Sequence, residues 1–129
     1  MVATGVGVAP FVPMLERLQS ENPAAPTWLV WGNRFAQEIV DRGRLETWER
    51  SWPGFHFLPV LSRPPEDGSW TGSVGHVQAS VRQHFPNLGD ADVYLCGANQ
   101  MVNEMQELAL ELGCPKDHVF VDRWGEHAQ

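Results

Sequence analysis

Near its start the chain carries the run Thr4-Gly5-Val6-Gly7-Val8-Ala9-Pro10-Phe11. A β-branched residue, two glycines one residue apart, and a proline ahead of an apolar stripe read as a strand end, a tight turn and the opening of a helix. Pro10 suits a first helical turn, where its missing donor costs nothing, and Pro13 still falls near that turn. Such a junction aims backbone N–H groups and the positive end of a helix dipole at one point, an arrangement that holds a phosphate or pyrophosphate. Only Val2-Ala3-Thr4 stands ahead of the turn as strand, so a segment is expected to be missing upstream.

The length of 129 residues allows one domain with its own core, and 43% hydrophobic content argues against disorder. The net charge of −7 argues against nucleic-acid binding, which needs a basic face to follow the phosphates. A single small anion is compatible with it, because local N–H groups outweigh a distant negative surface. Cys96 and Cys114 lack metal-ligand spacing, and the five histidines form no His-x-x-x-His pair, so no metal site is expected. A reduced, cytosolic setting is expected from the cysteine usage. No signal peptide is visible, and no apolar run approaches the ~20 residues of a membrane helix.

Along the chain, periodicity alternates between strand and helix. Phe11, Met14 or Leu15, and Leu18 fall at helical spacing; residues 27–31 are a short apolar run ended by Gly32-Asn33. A short helix is expected near 35–39, and Leu45, Trp48 and Trp52 mark one face of another, broken by Pro53-Gly54. Residues 55–61 are rich in strand formers, and the prolines and glycines of 62–72 make that segment a loop. Val74, Val77, Val81 and Phe85 predict the next helix, and residues 92–96 a strand running into Gly97. Met101, Met105, Leu108 and Leu112 predict the last helix, stopped by Gly113 and Pro115, and 118–121 a final strand. The order β-α-β-α-β-α-β-α-β implies a three-layer, doubly wound, parallel five-stranded sheet. Ligands of such folds bind beyond the carboxyl ends of the strands. Those ends carry Thr4-Gly5, Gly32-Asn33-Arg34, Ser62-Arg63 and Cys96-Gly97-Ala98.

Each motif alone has two readings. Gly5-x-Gly7 lacks the third glycine of the dinucleotide fingerprint, with Pro10 in its place, and is also the tight turn of any α/β domain. Cys96-Gly97-Ala98-Asn99-Gln100-Met101 is a second strand-to-helix junction. By itself, Cys96 is a small buried hydrophobe, Met101 a core residue and Asn99 a helix cap.

Together the two junctions resemble the pyridine-nucleotide domain of the ferredoxin–NADP reductase superfamily, most nearly the oxygenase reductase components and flavin reductases. The resemblance rests on residues 3–11, on Trp31-Gly32-Asn33-Arg34, and on Leu61-Ser62-Arg63-Pro64 with Trp70-Thr71-Gly72. Tyr94-Leu95-Cys96-Gly97 with Met101, and Val119-Phe120-Val121-Asp122, complete it, so it spans nearly the whole chain. It implies a Rossmann-like sheet of strand order 3-2-1-4-5 that binds NADH or NADPH. Hydride would pass to FAD or FMN on a flavin-binding domain, and electrons onward to a ferredoxin-type or oxygenase acceptor.

The resemblance also assigns roles. Thr4, Gly5, Val6, Gly7, Val8 and Pro10 would hold the pyrophosphate; on this reading Gly7→Val should block binding and leave the fold intact. Arg34, Ser62 and Arg63 would lie near the adenosine end, where a guanidinium suits a phosphate; Arg34 is otherwise a solvated loop charge. Trp70 would cover the adenine or shield its own loop. Cys96, Gly97, Ala98 and Met101 would flank the nicotinamide, with Cys96 placed at the reacting ring to position it rather than attack it. Asp122 and Trp124 match a tail near the flavin, or pack. The chain departs from the family where Cys-Gly-Pro reads Cys96-Gly97-Ala98, and the flavin-binding barrel that the family places ahead of this domain is expected to be missing from this sequence. Residues 1–129 are therefore expected to be one NAD(P)-binding domain excised from a longer enzyme, inactive alone. Two rival classes compete with this reading. A non-catalytic nucleotide-binding module fits the same motifs, whereas a phosphoacceptor receiver domain needs acids where Thr4-Gly5 and Ser62-Arg63 stand.

Overall fold

The computed structural model describes residues 1–123; the expectation for Trp124 lies outside them. Among the described residues, six parallel strands form one sheet: β1 (Val2–Thr4), β2 (Thr27–Asn33), β3 (Phe55–Leu61), β4 (Ser73–Val74), β5 (Val93–Gly97) and β6 (Val119–Arg123). Their spatial order is β4-β3-β2-β1-β5-β6. The expected 3-2-1-4-5 order is therefore kept, with one addition. Two residues after the long loop pair with β3, Val60 opposite Ser73 and Leu61 opposite Val74, and form an extra edge strand. Val74 accordingly leaves the helical stripe assigned to it and is exposed; the helix starts after Gly75, whose φ of 112° breaks the backbone between them.

The helices α1 (Phe11–Glu21), α2 (Arg42–Ser51), α3 (Val77–His84) and α4 (Asn99–Glu111) sit in pairs on the two faces. Period-2 alternation in the strands sorts the core. Ala3, Leu29, Trp31, Phe55, Phe57, Leu61 and Cys96 pack with Phe11, Leu15, Leu45 and Trp48 under α1 and α2. Val2, Val30, Val60, Val93 and Leu95 pack with Val77, Val81, Met101 and Met105 under α3 and α4. Leu45, Trp48 and Trp52 do form one face: Trp52 stacks on Phe55 at 4.8 Å and Trp48 meets both edge-on. The Trp52 indole N–H donates to the Pro23 carbonyl at 2.8 Å, so a fully buried indole has its partner. Cys114 is buried beside α4, and burial, aided by the carboxylates of Asp92 and Asp117, raises its thiol pKa, which keeps it an unreactive core thiol.

At the β3–β4 border the ladder is closed chemically. The Phe57 N–H donates to the Glu49 carboxylate at 2.9 Å, and Pro59 has no N–H to offer. Among the described residues no helix is long and apolar enough to cross a membrane.

β1 is three residues long and central, flanked by the longer β2 and β5. The Met1 amine therefore lies inside the sheet, where it donates to the Trp28 carbonyl at 2.8 Å, and a groove of about 1060 Å³ opens around it. Burial lowers its pKa from 8.0 to about 5. Between those values the unfolded chain holds a proton that the folded chain has shed, so stability should rise with pH across this window. The rise is at most ~4 kcal/mol, less what the Trp28 hydrogen bond returns to the charged form. Urea melts of the 129-residue chain at pH 5 and pH 8 measure it. Two β-branched residues placed before Met1, which turn the amine into a peptide N–H, should raise stability and remove the slope.

Candidate functional site at the carboxyl edge of the sheet

The tips of β1 and β5 interlock. Thr4 is extended; residues 5–8 then form one 3₁₀ turn, closed by the Ala9 N–H donating to the Val6 carbonyl at 3.1 Å. A Cβ on Gly7 would lie 2.3 Å from the Cys96 carbonyl oxygen and 2.8 Å from Gly97 Cα. A Cβ on Gly97 would lie 2.3 Å from Thr4 Oγ1, and its φ of 150° suits glycine. The Thr4 hydroxyl accepts the Ala98 N–H at 3.2 Å, fastening the two turns together. The two glycine turns thus sit side by side, joined through the Thr4 hydroxyl.

Gly5 adopts φ +53°, with nothing within 4 Å of where a Cβ would point. Val6 beside it is 77% exposed, a large apolar side chain held in solvent at the turn's tip. The turn therefore has an open side that faces away from the core. Pro10 precedes α1 with helical φ and ψ, as its ring requires, and is partly buried.

Neighbouring strand tips extend this edge. The Ser62 N–H donates to the Asn33 carbonyl at 3.0 Å and the Arg63 N–H to the Arg34 carbonyl at 2.9 Å, so the tips of β2 and β3 run on together beyond the sheet. Arg17, Arg42, Arg44 and Arg82 sit in salt bridges; among the described residues none forms with Arg34 or Arg63, both exposed. Ser62 is partly buried between them.

Several assigned residues stand elsewhere than their motifs imply. The Cys96 side chain is 0% exposed and belongs to the core under α1, so the thiol does not line the open edge. Strand alternation turns it inward beside Ala3, and what the β5 tip presents is the exposed Ala98, with Gly97 buried against Thr4 beneath it. Met101 is 5% exposed and packs with the α3–α4 core, its Cε 3.0 Å from the Cβ position of Gly97. Val8 is likewise buried, as a core anchor of the first turn. These three side chains support the site from beneath. The Trp70 ring folds back on its loop: its indole N–H donates to the Ser73 carbonyl at 3.0 Å, Gly72 packs on it, and the Arg42 guanidinium lies 5.1 Å above its centroid. Shielding of the loop is what this arrangement provides. Asp122 is exposed on β6, paired in register with Cys96. Asn99 makes no capping hydrogen bond and is the first residue of α4 rather than its cap.

Three features were not legible as site residues. Asn33 Nδ2, Asn99 Oδ1 and Gln78 Oε1 are buried without hydrogen-bond partners among the described residues; Asn33 and Asn99 lie at the tip of β2 and the start of α4. A buried donor or acceptor left so costs ~1–3 kcal/mol, which a polar ligand at this edge would relieve. Glu38 folds back onto β2, its carboxylate accepting the Arg34 and Phe35 N–H groups at 2.9 Å each. In sequence it stands too far past the strand to be read there. Trp31, named only within a motif block, donates its indole N–H to the Gly5 carbonyl at 2.9 Å.

An open parallel sheet with paired glycine turns over its carboxyl edge defines a nucleotide-binding α/β domain. Residues 1–107 match the model of the oxidoreductase NAD-binding domain, and the chain belongs to that family, the pyridine-nucleotide domain of the ferredoxin–NADP reductase superfamily. It is 38% identical to ferredoxin–NADP reductase B of Sorangium cellulosum over 95% of this chain and 52% of that protein. It is 29% identical to the propane 2-monooxygenase reductase component of Rhodococcus jostii over 95% of this chain and 34% of the relative. The Amycolatopsis cytochrome P450 reductase superposes with a TM-score of 0.86 at 24% identity, over 95% of this chain and 36% of that one. The chain thus spans between a third and a half of the relatives' length.

The interlock changes the expectation for Gly7. Its missing Cβ makes room for the β5 backbone, which cannot swing away as a flexible side chain can. Gly7→Ala should therefore cost stability as well as binding, by ~3 kcal/mol or more because the obstacle is backbone, whereas Gly5→Ala, with free space, should cost only the ~1–2 kcal/mol of a left-handed backbone. Thermal melts of the two variants decide; equal losses would show that the two turns do not bear on each other.

Proposed function

We propose that this chain is the NAD(P)H-binding unit of a flavin-dependent electron-transfer reductase. One observation carries the reading: the interlocked glycine turns at residues 4–8 and 96–98 leave an edge that is open at Gly5, with partnerless polar atoms of Asn33 and Asn99 at the tip of β2 and the start of α4. The residues present fit a dinucleotide. Backbone N–H groups of the exposed Gly5 and Val6 bind the pyrophosphate, with the buried Gly7 allowing the turn its close seat on β5. Arg34, Ser62 and Arg63 lie at the adenosine end, and Gly97 and Ala98 give the nicotinamide ring a flat surface. The nicotinamide, when bound, supplies a hydride to FAD or FMN on an adjoining domain. This transfer asks the protein for alignment and exclusion of water, not for an acid or base. Cys96 enters as a positioning residue: packed under the β5 tip, it sets the level of Gly97. Asp122, exposed beside it on β6, faces the flavin side.

The likeness to reductase components supports a flavin-binding domain as the immediate partner and an oxygenase or ferredoxin-type protein as acceptor. Two cysteines that are both buried thiols fit a reduced, cytosolic setting. A nucleotide-binding module without redox chemistry is the second reading, favoured by the same vacant-handed edge should chemistry be absent. The two part on one measurement. Joined to a flavin domain, the chain should bleach the flavin absorbance on addition of NADH or NADPH; dinucleotide binding with no bleaching would establish the module instead.

The unpaired guanidiniums of Arg34 and Arg63, on tips joined by a 2.9 Å hydrogen bond, suit a further phosphate beside the adenosine. Arg63→Ala should weaken NADPH binding ~10-fold or more, the size of a lost charge-assisted hydrogen bond, and NADH binding by less than ~2-fold. Calorimetric titration with both cofactors tests this. Equal losses would remove Arg63 as a reader of the additional phosphate.

A further inference from the structure

Trp31 is 2% exposed, on the face of β2 turned toward α1, and cannot touch anything at the open edge. Yet its indole N–H reaches the first residue of the glycine turn and donates to the Gly5 carbonyl at 2.9 Å. The Gly5–Val6 peptide is trans. In a planar trans peptide the carbonyl and the following N–H point in opposite directions. With the carbonyl drawn inward to Trp31, the Val6 N–H points away from the indole, and Val6 is exposed. The indole therefore does more than fill the core.

We infer that Trp31 is a positioning residue that orients the Val6 N–H toward the phosphates of a bound dinucleotide, acting through the Gly5 carbonyl. The inference rests on the nucleotide-binding reading above. Glycine at position 5 makes the device necessary. Its backbone has access to both signs of φ, and the i→i+3 bonds of a single 3₁₀ turn hold the Gly5–Val6 peptide only weakly, so without a second donor it can rotate and turn its N–H inward. A side-chain donor fixed in the sheet removes that choice before ligand arrives, and binding then carries no cost of ordering the turn.

The test is Trp31→Phe, which keeps an aromatic ring and removes the donor. Binding of ADP-ribose, the probe that carries the pyrophosphate without the nicotinamide, should weaken about five- to tenfold, the size of one hydrogen bond. ¹H–¹⁵N spectra supply a readout that simple core packing would not move. In the wild-type chain the Trp31 indole N–H should resist exchange with deuterated water, while the Val6 amide exchanges freely and becomes protected only on ADP-ribose addition. In Trp31→Phe that protection should be lost or reduced. ADP-ribose binding unchanged within twofold by the substitution overturns the inference alone. A Val6 amide already protected in the free wild-type chain also overturns it, and needs no variant to fold. Failure of the wild-type chain to bind ADP-ribose at millimolar concentration overturns the nucleotide reading and this inference with it.

Discussion

The structure turns on the contact between the β1 and β5 tips. Gly7 lies against the backbone of Cys96 and Gly97, Gly97 lies against Thr4, and the Thr4 hydroxyl accepts the Ala98 N–H. Gly7 lacks a side chain because the β5 backbone occupies its place, and Gly97 because the Thr4 hydroxyl and the Met101 methyl group do. Close approach on this scale brings two sets of helix-opening N–H groups to one edge, where a single loop would present only one. It also makes the site and the fold the same object, since loosening either tip parts two strands that are neighbours in the middle of the sheet.

The layers beneath explain why the tips stay where they are. Val8 and Cys96 root them in the α1–α2 core, and Met101 props Gly97 from the α3–α4 side. Trp31 reaches across from β2 to hold Gly5. Residues that a motif assigns to a ligand therefore divide into those that present backbone and those that hold that backbone in place. The second group is apolar and buried, and its substitution would be felt in affinity only through geometry.

Much of this was legible in the sequence. Strand and helix periods located the five principal strands because each buries a face against a helix pair, and β3 agrees to the residue. The two glycine junctions stood out because their backbones need residues without side chains. What stayed hidden depends on contacts between distant segments. Val74 sits at helical spacing from Val77 and Val81, yet pairing with Leu61 wins it for a strand. Cys96 and Met101 adjoin a site motif, and only the sense of the strand and of the helix face decides that their side chains turn inward. The short helix expected near 35–39 is a 3₁₀ turn over Ala36–Glu38, and that it carries the Glu38 carboxylate back to the N–H groups of Arg34 and Phe35 is a contact no period announces. Trp31 looked like any core aromatic, because its hydrogen bond joins residues 26 apart.

The border of the sheet at β3 has a bearing on crowding. Glu49 occupies the Phe57 N–H, Pro59 offers none, and β4 covers the far end with two residues. A stray chain seeking to zip onto this side finds neither a continuous row of donors nor a flat ribbon. Self-association by strand sharing is thereby directed to the opposite rim, where Phe120 and Val121 lie exposed on β6. At high concentration, strand sharing between copies is accordingly resisted at the β3 border by a carboxylate and an imino acid, so replacing Glu49 or Pro59 would reopen it.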